Sequence, residues 1–358
     1  MLSAPPAAPI ILGIETSCDD TACAVLDGDG RVLASVVSSQ LVAHRPYGGV
    51  VPEIASRAHL ENWPAVSAEA LERAGLDLSR IDAVAATRGP GLVGSLLVGL
   101  SLGKALGFAL DRPFFAVHHL EGHLFSPFLQ PTGAADAIPD RFVGLVVSGG
   151  HSSLFAVAAG RTRTLGEARD DAMGEVFDKV GRRLGIPYPQ GPRVDELAEG
   201  GDPARHRFAI PDCSGSLDVS FSGLKSQALG EIEKLERALG PLDLGALDLS
   251  GTTPPAEVLD LLAGFRAAAV GQVLDRVERL HRSEPIPLLA VSGGAAANRL
   301  LRRELTAWAA AKGVALRLVP LGFSGDNAAM IAHAALLRLR RGESDNLFTA
   351  EAESRIAI

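Results

Sequence analysis

The chain has 358 residues, a formal net charge of −8 and 47% hydrophobic residues. These values suit a globular protein of roughly two domains, and they exclude a protein whose whole surface is basic for nucleic-acid binding. The acidic balance leaves room for local basic patches, because arginines cluster in three pairs. Composition alone would place these pairs on solvated helix faces: Arg182 with Arg183, Arg205 with Arg207, and Arg302 with Arg303.

Cysteine usage and hydropathy indicate a reducing, cytoplasmic location without a membrane. The cysteines Cys18, Cys23 and Cys213 form no CxxC pair, so neither a disulfide framework nor a zinc knuckle is predicted. The first residues combine prolines with no basic segment, which is not the pattern of a signal peptide. The most apolar stretch, residues 92–110, is rich in glycine and contains Lys104. We expect a buried helix there rather than a membrane span.

The first third of the chain is typical of a polar hairpin followed by alternating helices and strands. The hairpin turn, TSCDD, places hydroxyls and carboxylates between two apolar strands. A proline at residue 52 marks the start of the next helix. The predicted elements are strands at 10–15 and 21–27, a helix at 52–74, a strand at 81–86 and a helix at 92–110.

The rest of the chain repeats the hairpin plan and then alternates regularly. Residues 142–158 read as strand, SGGH turn and returning strand, and a long amphipathic helix follows at 257–282. A βαβα run comes next, which predicts a parallel or mixed sheet covered by helices. Its elements are strands at 287–291 and 314–319 and helices at 299–311 and 328–339.

The strongest local signal is HHLEGH at 118–123, which holds three of the nine histidines. Residues four apart share a helix face, so His119 and His123 can bind one metal ion together. The alternative is that these histidines only line the start of a helix. Glu121 would point about 200° away from either histidine, and the HExxH pattern of zinc proteases is absent. A zinc protease built on these histidines would therefore lack its general base.

Two glycine-rich turns after strands are candidate nucleotide contacts. SGGH at 148–151 and SGGAAAN at 292–298 would let backbone N–H groups approach an anion or a ribose, and Asn298 could contact adenine or ribose. Neither is a Walker loop or a GxGxxG fingerprint, so dinucleotide binding is disfavoured. Asp178 and Asp195 could accept hydrogen bonds from ribose hydroxyls, although composition alone favours exposed helix positions for them.

Taken together, these motifs resemble the bacterial TsaD family of tRNA adenosine threonylcarbamoyltransferases, formerly described as O-sialoglycoprotein endopeptidases. The resemblance covers nearly the whole chain, and it depends on the ordered set rather than on any one segment. The segments are GIETSCDDT (13–21), YGGVVPEIASRAH (47–59), GPGLVGSLLVG (89–99), VHHLEGH (117–123), LVVSGGHSSL (145–154), GEVFDKVGRRLG (174–185), SFSGLKS (220–226), VSGGAAANRLL (291–301) and SGDNAAMIA (324–332).

The resemblance implies an α/β, two-lobed actin-like fold of the ASKHA or ribonuclease H-like class, with the active site in the cleft between the lobes. We expect an N-terminal lobe over 10–118, completed by the helix at 326–341. A C-terminal lobe would cover 119–325 and carry an insertion near 186–256. Residues 342–358 would form a flexible tail.

The resemblance also implies the reaction. Threonylcarbamoyl-AMP would donate its threonylcarbamoyl group to N6 of adenosine-37 in tRNAs that read codons beginning with A, and AMP would be released. In the family two histidines and one aspartate hold a metal, matching His119, His123 and Asp326. This donor set suits Fe(2+), with Zn(2+) as the alternative. The adenylate contacts match Val146, Val147, Ser148, Gly149, Gly150, Asp178, Gly191, Asp195 and Asn298.

The chain departs from the family pattern in the YPGGP turn, where Gln190 replaces the first glycine. The general base is not identified by the resemblance. Glu15, Asp19 and Asp20 in the first hairpin are candidates, and their alternative role is to orient the hairpin turn.

Partners are expected because an acidic chain binds RNA phosphates weakly by itself. The family's partners are the paralogous actin-like protein TsaB and the small P-loop ATPase TsaE, besides the substrate tRNA. Three other functions stay open at this point. They are a metalloprotease, an ATP-dependent kinase of the actin-like superfamily, and a nucleotide-binding scaffold without catalysis.

Overall fold

The computed structural model describes residues 8–245 and 254–358, and the chain forms two compact units. Unit 1 comprises Met1–Ile138 with Val319–Ile358, and unit 2 comprises Pro139–Leu318. The first boundary therefore differs from the predicted break between residues 118 and 119. The helix that follows His118 stays in unit 1 because it packs on the last helix of the chain, where a Cβ at Gly122 would lie 2.9 Å from Ile331 Cδ1.

Unit 1 is built on a five-stranded sheet with the order β3-β2-β1-β4-β5. The first three strands form an antiparallel meander, and β4 and β5 run parallel to β1. All five residues of β1 and of β5 are buried, as expected for strands covered on both faces. The strands are β1 Ile11–Glu15, β2 Asp20–Leu26, β3 Val32–Ser39, β4 Ala83–Gly89 and β5 Phe114–His118.

Glycines bring the helices of unit 1 close to this sheet. A Cβ at Gly13 would lie 2.4 Å from the Ala328 carbonyl oxygen, and a Cβ at Gly103 would lie 2.8 Å from the Ala86 side chain. Within the described residues, Val93–Leu110 alone is long and apolar enough to cross a bilayer, but its glycine face packs on the sheet. The helices are α1 Leu41–His44, α2 Pro52–Ala74, α3 Val93–Leu110, α4 His119–Phe125 and α10 Ala328–Arg340.

Unit 2 repeats the architecture with a sheet of order β10-β9-β6-β7-β8. β6, β7 and β8 form the antiparallel meander, and β9 and β10 extend the sheet in parallel. The strands are β6 Arg141–Val147, β7 Ser152–Ala158, β8 Arg161–Glu167, β9 Leu288–Ser292 and β10 Ala315–Leu318. The helices are α5 Met173–Arg183, α6 Gln190–Leu197, α7 Ser222–Leu239, α8 Ala256–Ser283 and α9 Arg299–Lys312.

One sequence-based expectation about the periphery needs correction. The tail at 342–358 is not loosely attached: the Glu353 amide donates to the Arg88 carbonyl over 2.8 Å, and the Asp345 amide donates to the Phe114 carbonyl over 2.8 Å. A polar composition is typical of a loosely attached tail, and it does not predict backbone hydrogen bonds such as these to β4 and β5. The predicted insertion near 186–256 contains α6 and α7, both of which pack against α8. Residues 246–253 of that insertion lie outside the described residues.

Candidate metal centre and nucleotide-binding loops

Two histidines and one aspartate converge within unit 1. α4 begins directly after β5 and turns His119 and His123 to one side, while Asp326 lies just before the N-cap of α10. His123 Nε2 lies 3.1 Å and His119 Nε2 lies 3.5 Å from Asp326 Oδ1. One donor atom from each residue falls within 4.8 Å of the others. The i, i+4 spacing thus produces the predicted shared face.

The electrostatics of this cluster suit a cation. Burial lowers the pKa of His119, but the carboxylates of Asp326 and Glu15 outweigh it and raise this pKa to about 9. A positive charge is therefore stabilised among the three donors. His119 is 5% exposed and His123 is fully buried, so bulk water cannot supply that stabilisation. Two imidazoles and one carboxylate are a donor set used for Fe(2+) or Zn(2+), and these residues could hold such an ion.

Glu15 orients one of the histidines. Its carboxylate is fully buried at the end of β1 and accepts hydrogen bonds from the Ser17 amide, from Thr87 Oγ1 over 2.6 Å and from His119 Nδ1 over 3.1 Å. A hydrogen bond at Nδ1 leaves Nε2 of the same ring free for a metal. The bond from the Ser17 amide fits the alternative role of orienting the hairpin turn, and the bond from His119 adds the orientation of a histidine, which the sequence did not indicate.

Asp20 has a different environment from Glu15. It begins β2 and is partly exposed as a residue, but its Oδ1 is buried and has no hydrogen-bond partner among the described residues. Burial, followed by the neighbouring carboxylates Asp326, Asp19 and Glu15, raises the pKa of Asp20 to about 7 even though Ser39 donates a hydrogen bond to it. Asp19 lies in the same turn and is also partly exposed.

The two glycine-rich turns of unit 2 are neighbours. β6 and β9 are adjacent parallel strands, so the turns at 148–151 and 292–298 leave the same edge of the sheet. Ligands of open α/β sheets bind at this edge. Gly293 has φ +93°, and a Cβ there would lie 2.2 Å from the Val147 carbonyl oxygen. Only glycine permits this approach of the two turns.

The predicted adenylate contacts in the first turn differ in accessibility. Val146 and Val147 are fully buried in β6, so only their backbone could contact a ligand. Gly149 and Gly150 are exposed, and no heavy atom lies within 4 Å of a Cβ built on either one. The Ser148 amide donates to the His151 carbonyl over 2.7 Å and closes the turn. The open glycines leave room for a ligand beside the backbone.

The polar members of the predicted set hold helix ends in place. Asp178 Oδ1 accepts from the Gly191 amide over 2.7 Å. Asp195 accepts from Arg266 Nη1 and from the Arg299 amide, each over 3.1 Å. Each carboxylate oxygen has a second lone pair, so these bonds do not exhaust its capacity. Asn298 caps α9 by accepting from the Leu301 amide over 2.9 Å.

The Gln190 replacement is accommodated inside unit 2. Its side chain is 2% exposed at the start of α6, and a Cβ at Gly181 of α5 would lie only 2.6 Å from Gln190 Cβ. The absence of a side chain at Gly181 leaves the space that the added Gln190 side chain occupies. Gly191 remains in position to donate to Asp178.

Sequence reasoning missed two partners of the metal centre, Ser17 and Thr87. Ser17 lies in the hairpin turn and could have been suspected, because its neighbours are candidate site residues. Thr87 lies in β4, and no local pattern distinguishes it from other strand threonines. Its role depends on the pairing of β1 with β4, which brings it beside Glu15.

Comparison with known proteins agrees with these features. Residues 31–333 match the model of the TsaD family, described as tRNA N6-adenosine threonylcarbamoyltransferase. A Pelobacter propionicus protein of that name is 44% identical over 340 residues, covering 94% of each chain. A Cyanothece protein of the same name is 45% identical over 357 residues, covering 97% of each. The crystal structure of HypF from T. kodakarensis has TM-score 0.59 at 14% identity, covering 93% of this chain and 48% of that one, and shares the actin-like fold.

Glu15→Gln should weaken metal binding by about 10- to 100-fold, because a neutral amide no longer fixes the His119 ring or matches the buried cation. The measurement is competitive titration of Fe(2+) or Zn(2+) against a chelator. Glu121→Gln is the matched control on α4, since that carboxyl faces Arg338 and Arg341 instead of the ligands. Equal affinity of the Glu15 variant and the wild-type chain would contradict the orienting role.

Gly293→Ala should abolish measurable AMP binding, because a Cβ at this position meets the Val147 carbonyl oxygen and the backbone has a positive φ. Gly294→Ala is the matched control, since a Cβ there meets no atom within 4 Å. Calorimetric titration with AMP checks both variants, and circular dichroism checks their folding. Unchanged AMP affinity in a folded Gly293→Ala protein would exclude this pair of turns as the adenylate site.

Proposed function

This chain belongs to the TsaD family of tRNA N6-adenosine threonylcarbamoyltransferases, and we propose that its donor substrate is threonylcarbamoyl-AMP. The enzyme is a transferase that modifies tRNA. The proposed donor places its adenylate on the paired glycine turns of unit 2. Support comes from the open backbone at Gly149 and Gly150 and from the glycine contact that joins the two turns.

The observation that carries the proposed chemistry is the His119–His123–Asp326 cluster with Glu15 behind it. We propose Fe(2+) as the resident ion, with Zn(2+) as the alternative, because both accept two imidazoles and a carboxylate. When bound, the ion supplies Lewis-acid stabilisation for negative charge that develops on the donor. The protein's part is to hold the ligands in place, and the Glu15 hydrogen bond does this for the His119 ring.

Asp20 is the best candidate for the general base. The N6 amine of adenosine is a weak nucleophile and must lose a proton during transfer. A carboxylate with a pKa near 7 is matched to proton transfer at neutral pH, and Asp20 is partly exposed where Glu15 is not. In this proposal the amine nitrogen bonds to the carbamoyl carbon, the bond from that carbon to the adenylate oxygen breaks, and AMP leaves.

The family assignment separates the transferase from the functions that the sequence left open. A protease of the HExxH type would need Glu121 beside the ligands, but the charged neighbours of Glu121 are Arg338, Arg341, Glu343 and Asp345. Kinases and non-catalytic nucleotide-binding scaffolds can have the same fold, so the fold alone does not distinguish them from a transferase. We propose that TsaB and TsaE form the active assembly with this chain, because an acidic chain binds the tRNA polyanion weakly by itself. We also propose that the enzyme acts in the cytoplasm.

His119→Ala should abolish transfer of labelled threonylcarbamoyl from threonylcarbamoyl-AMP to unmodified tRNA, together with bound metal measured by elemental analysis. His281→Ala, in α8 of the other unit, is the matched control and should behave as wild type. Reactions that omit TsaB or TsaE test their participation. Full activity of metal-free His119→Ala protein would contradict the role of the metal, and an inactive wild-type assembly would contradict the proposed donor.

Asp20→Asn should lower the transfer rate by about 100-fold or more and remove its pH dependence. The wild-type base works as the carboxylate, so its rate should fall about tenfold per pH unit below the pKa of Asp20 and level off above it. That pKa should lie below 7 in the metal-bound enzyme, because a cation at Asp326 offsets one of the charges that raise it. Single-turnover rates between pH 5.5 and 8.5 provide the measurement. Asp19→Asn is the comparison: loss of the pH dependence in that variant alone would transfer the role to Asp19.

A further inference from the structure

Unit 2 has a basic cavity of about 460 Å³ that the proposed chemistry does not use. It lies between α7 and the loop before it, and its walls carry Arg205, Arg207 and Lys234. The sequence pattern favoured a solvated helix face for the pair Arg205 and Arg207. The structure instead places this pair on an irregular loop that lines a cavity.

The cavity carries more positive than negative charge. Arg205 and Lys234 are exposed and make only surface ion pairs, with Asp202 at 3.7 Å and with Glu231 at 2.6 Å. Glu231 is the one carboxylate in its lining. Exposed ion pairs are weak, at about 0–1 kcal/mol, so an incoming phosphate can compete with these carboxylates.

The loop that carries the arginines is held in place. The Ala209 amide donates to Gln227 Oε1 of α7 over 3.2 Å. On the other side, the loop backbone is so close to α8 that a Cβ at Gly264 would lie 2.0 Å from the His206 carbonyl oxygen. A fixed backbone holds both arginines beside the cavity, so phosphate binding does not require the loop itself to be ordered.

We propose that this cavity binds the phosphodiester backbone of the tRNA substrate; the inference rests on the tRNA-modifying activity. The chain as a whole is acidic, so its contact with a polyanion must use local basic sites. A second basic cavity carries Arg141, Arg161 and Arg163, of which Arg141 pairs with Glu284 over 2.9 Å. Its walls of Phe142, Val143, Ala156 and Leu280 are more apolar and fit a phosphate backbone less well. The cavity with Arg205 and Arg207 has a mainly polar lining, including Ser226 and Gln227.

Arg207→Ala and Lys234→Ala should each weaken tRNA binding by about fivefold to tenfold. Each should also reduce the slope of log K against log salt by roughly 0.7 to 0.9, as expected when one phosphate contact is lost. In transfer assays KM for tRNA should rise while kcat stays unchanged. Glu231→Gln should tighten binding, because it removes the one carboxylate from the lining. Filter binding between 50 and 200 mM salt, with the partner proteins present, measures these effects.

Arg163→Ala is the matched control, since it removes the same charge from the second basic cavity. An equal loss of affinity in that variant, or unchanged affinity and slope in Arg207→Ala, would overturn the assignment. Inorganic pyrophosphate that binds the cavity without competition from tRNA would also overturn it. A wild-type assembly that binds tRNA through Arg207 but transfers nothing would contradict the proposed donor and leave this inference standing.

Discussion

A carboxylate with no access to water must find its hydrogen bonds inside the protein, and Glu15 finds them on three separate elements. The Ser17 amide belongs to the hairpin turn, Thr87 to β4 and His119 to α4. These bonds and the neighbouring positive charge keep the pKa of Glu15 below its usual value, although burial opposes this. Loss of any one donor leaves a buried charge poorly compensated, which costs several kcal/mol in proteins. The arrangement of the metal ligands depends on this compensation.

Two glycines pack closely against the same hairpin turn. A Cβ at Gly91 would lie 2.5 Å from the Ser17 carbonyl oxygen, and a Cβ at Gly99 would lie 2.3 Å from Thr16 Oγ1. The turn at the end of β1 therefore packs closely against both α3 and the loop between β4 and α3. Glycine in α3 lowers helix propensity, and close packing against the turn offsets that cost. The high glycine content of the chain thus has a structural explanation near both candidate sites.

Periodic elements and the metal face were predictable from local sequence. The helix at 52–74 and both hairpins lie where apolar periodicity and turn residues placed them, and the i, i+4 histidines share a face. Features that depend on long-range pairing were not predictable. The orienting role of Glu15 requires the register of β1 with β4, and the boundary of unit 1 requires the packing of α4 on α10. The arginine pair at 205 and 207 was misplaced because composition does not distinguish a helix face from a cavity wall.

The attached segment after α10 has a practical consequence for protein engineering. His118 Nε2 lies 3.2 Å from the Ile356 carbonyl oxygen, and a Cβ at Gly89 would lie 2.0 Å from the carbonyl of Glu353. These residues cover the ends of β4 and β5, immediately before His119. An affinity tag or fluorescent fusion attached next to Ile358 would disturb the contacts of Glu353 and Ile356 with the ends of β4 and β5, which lie beside the candidate metal ligands.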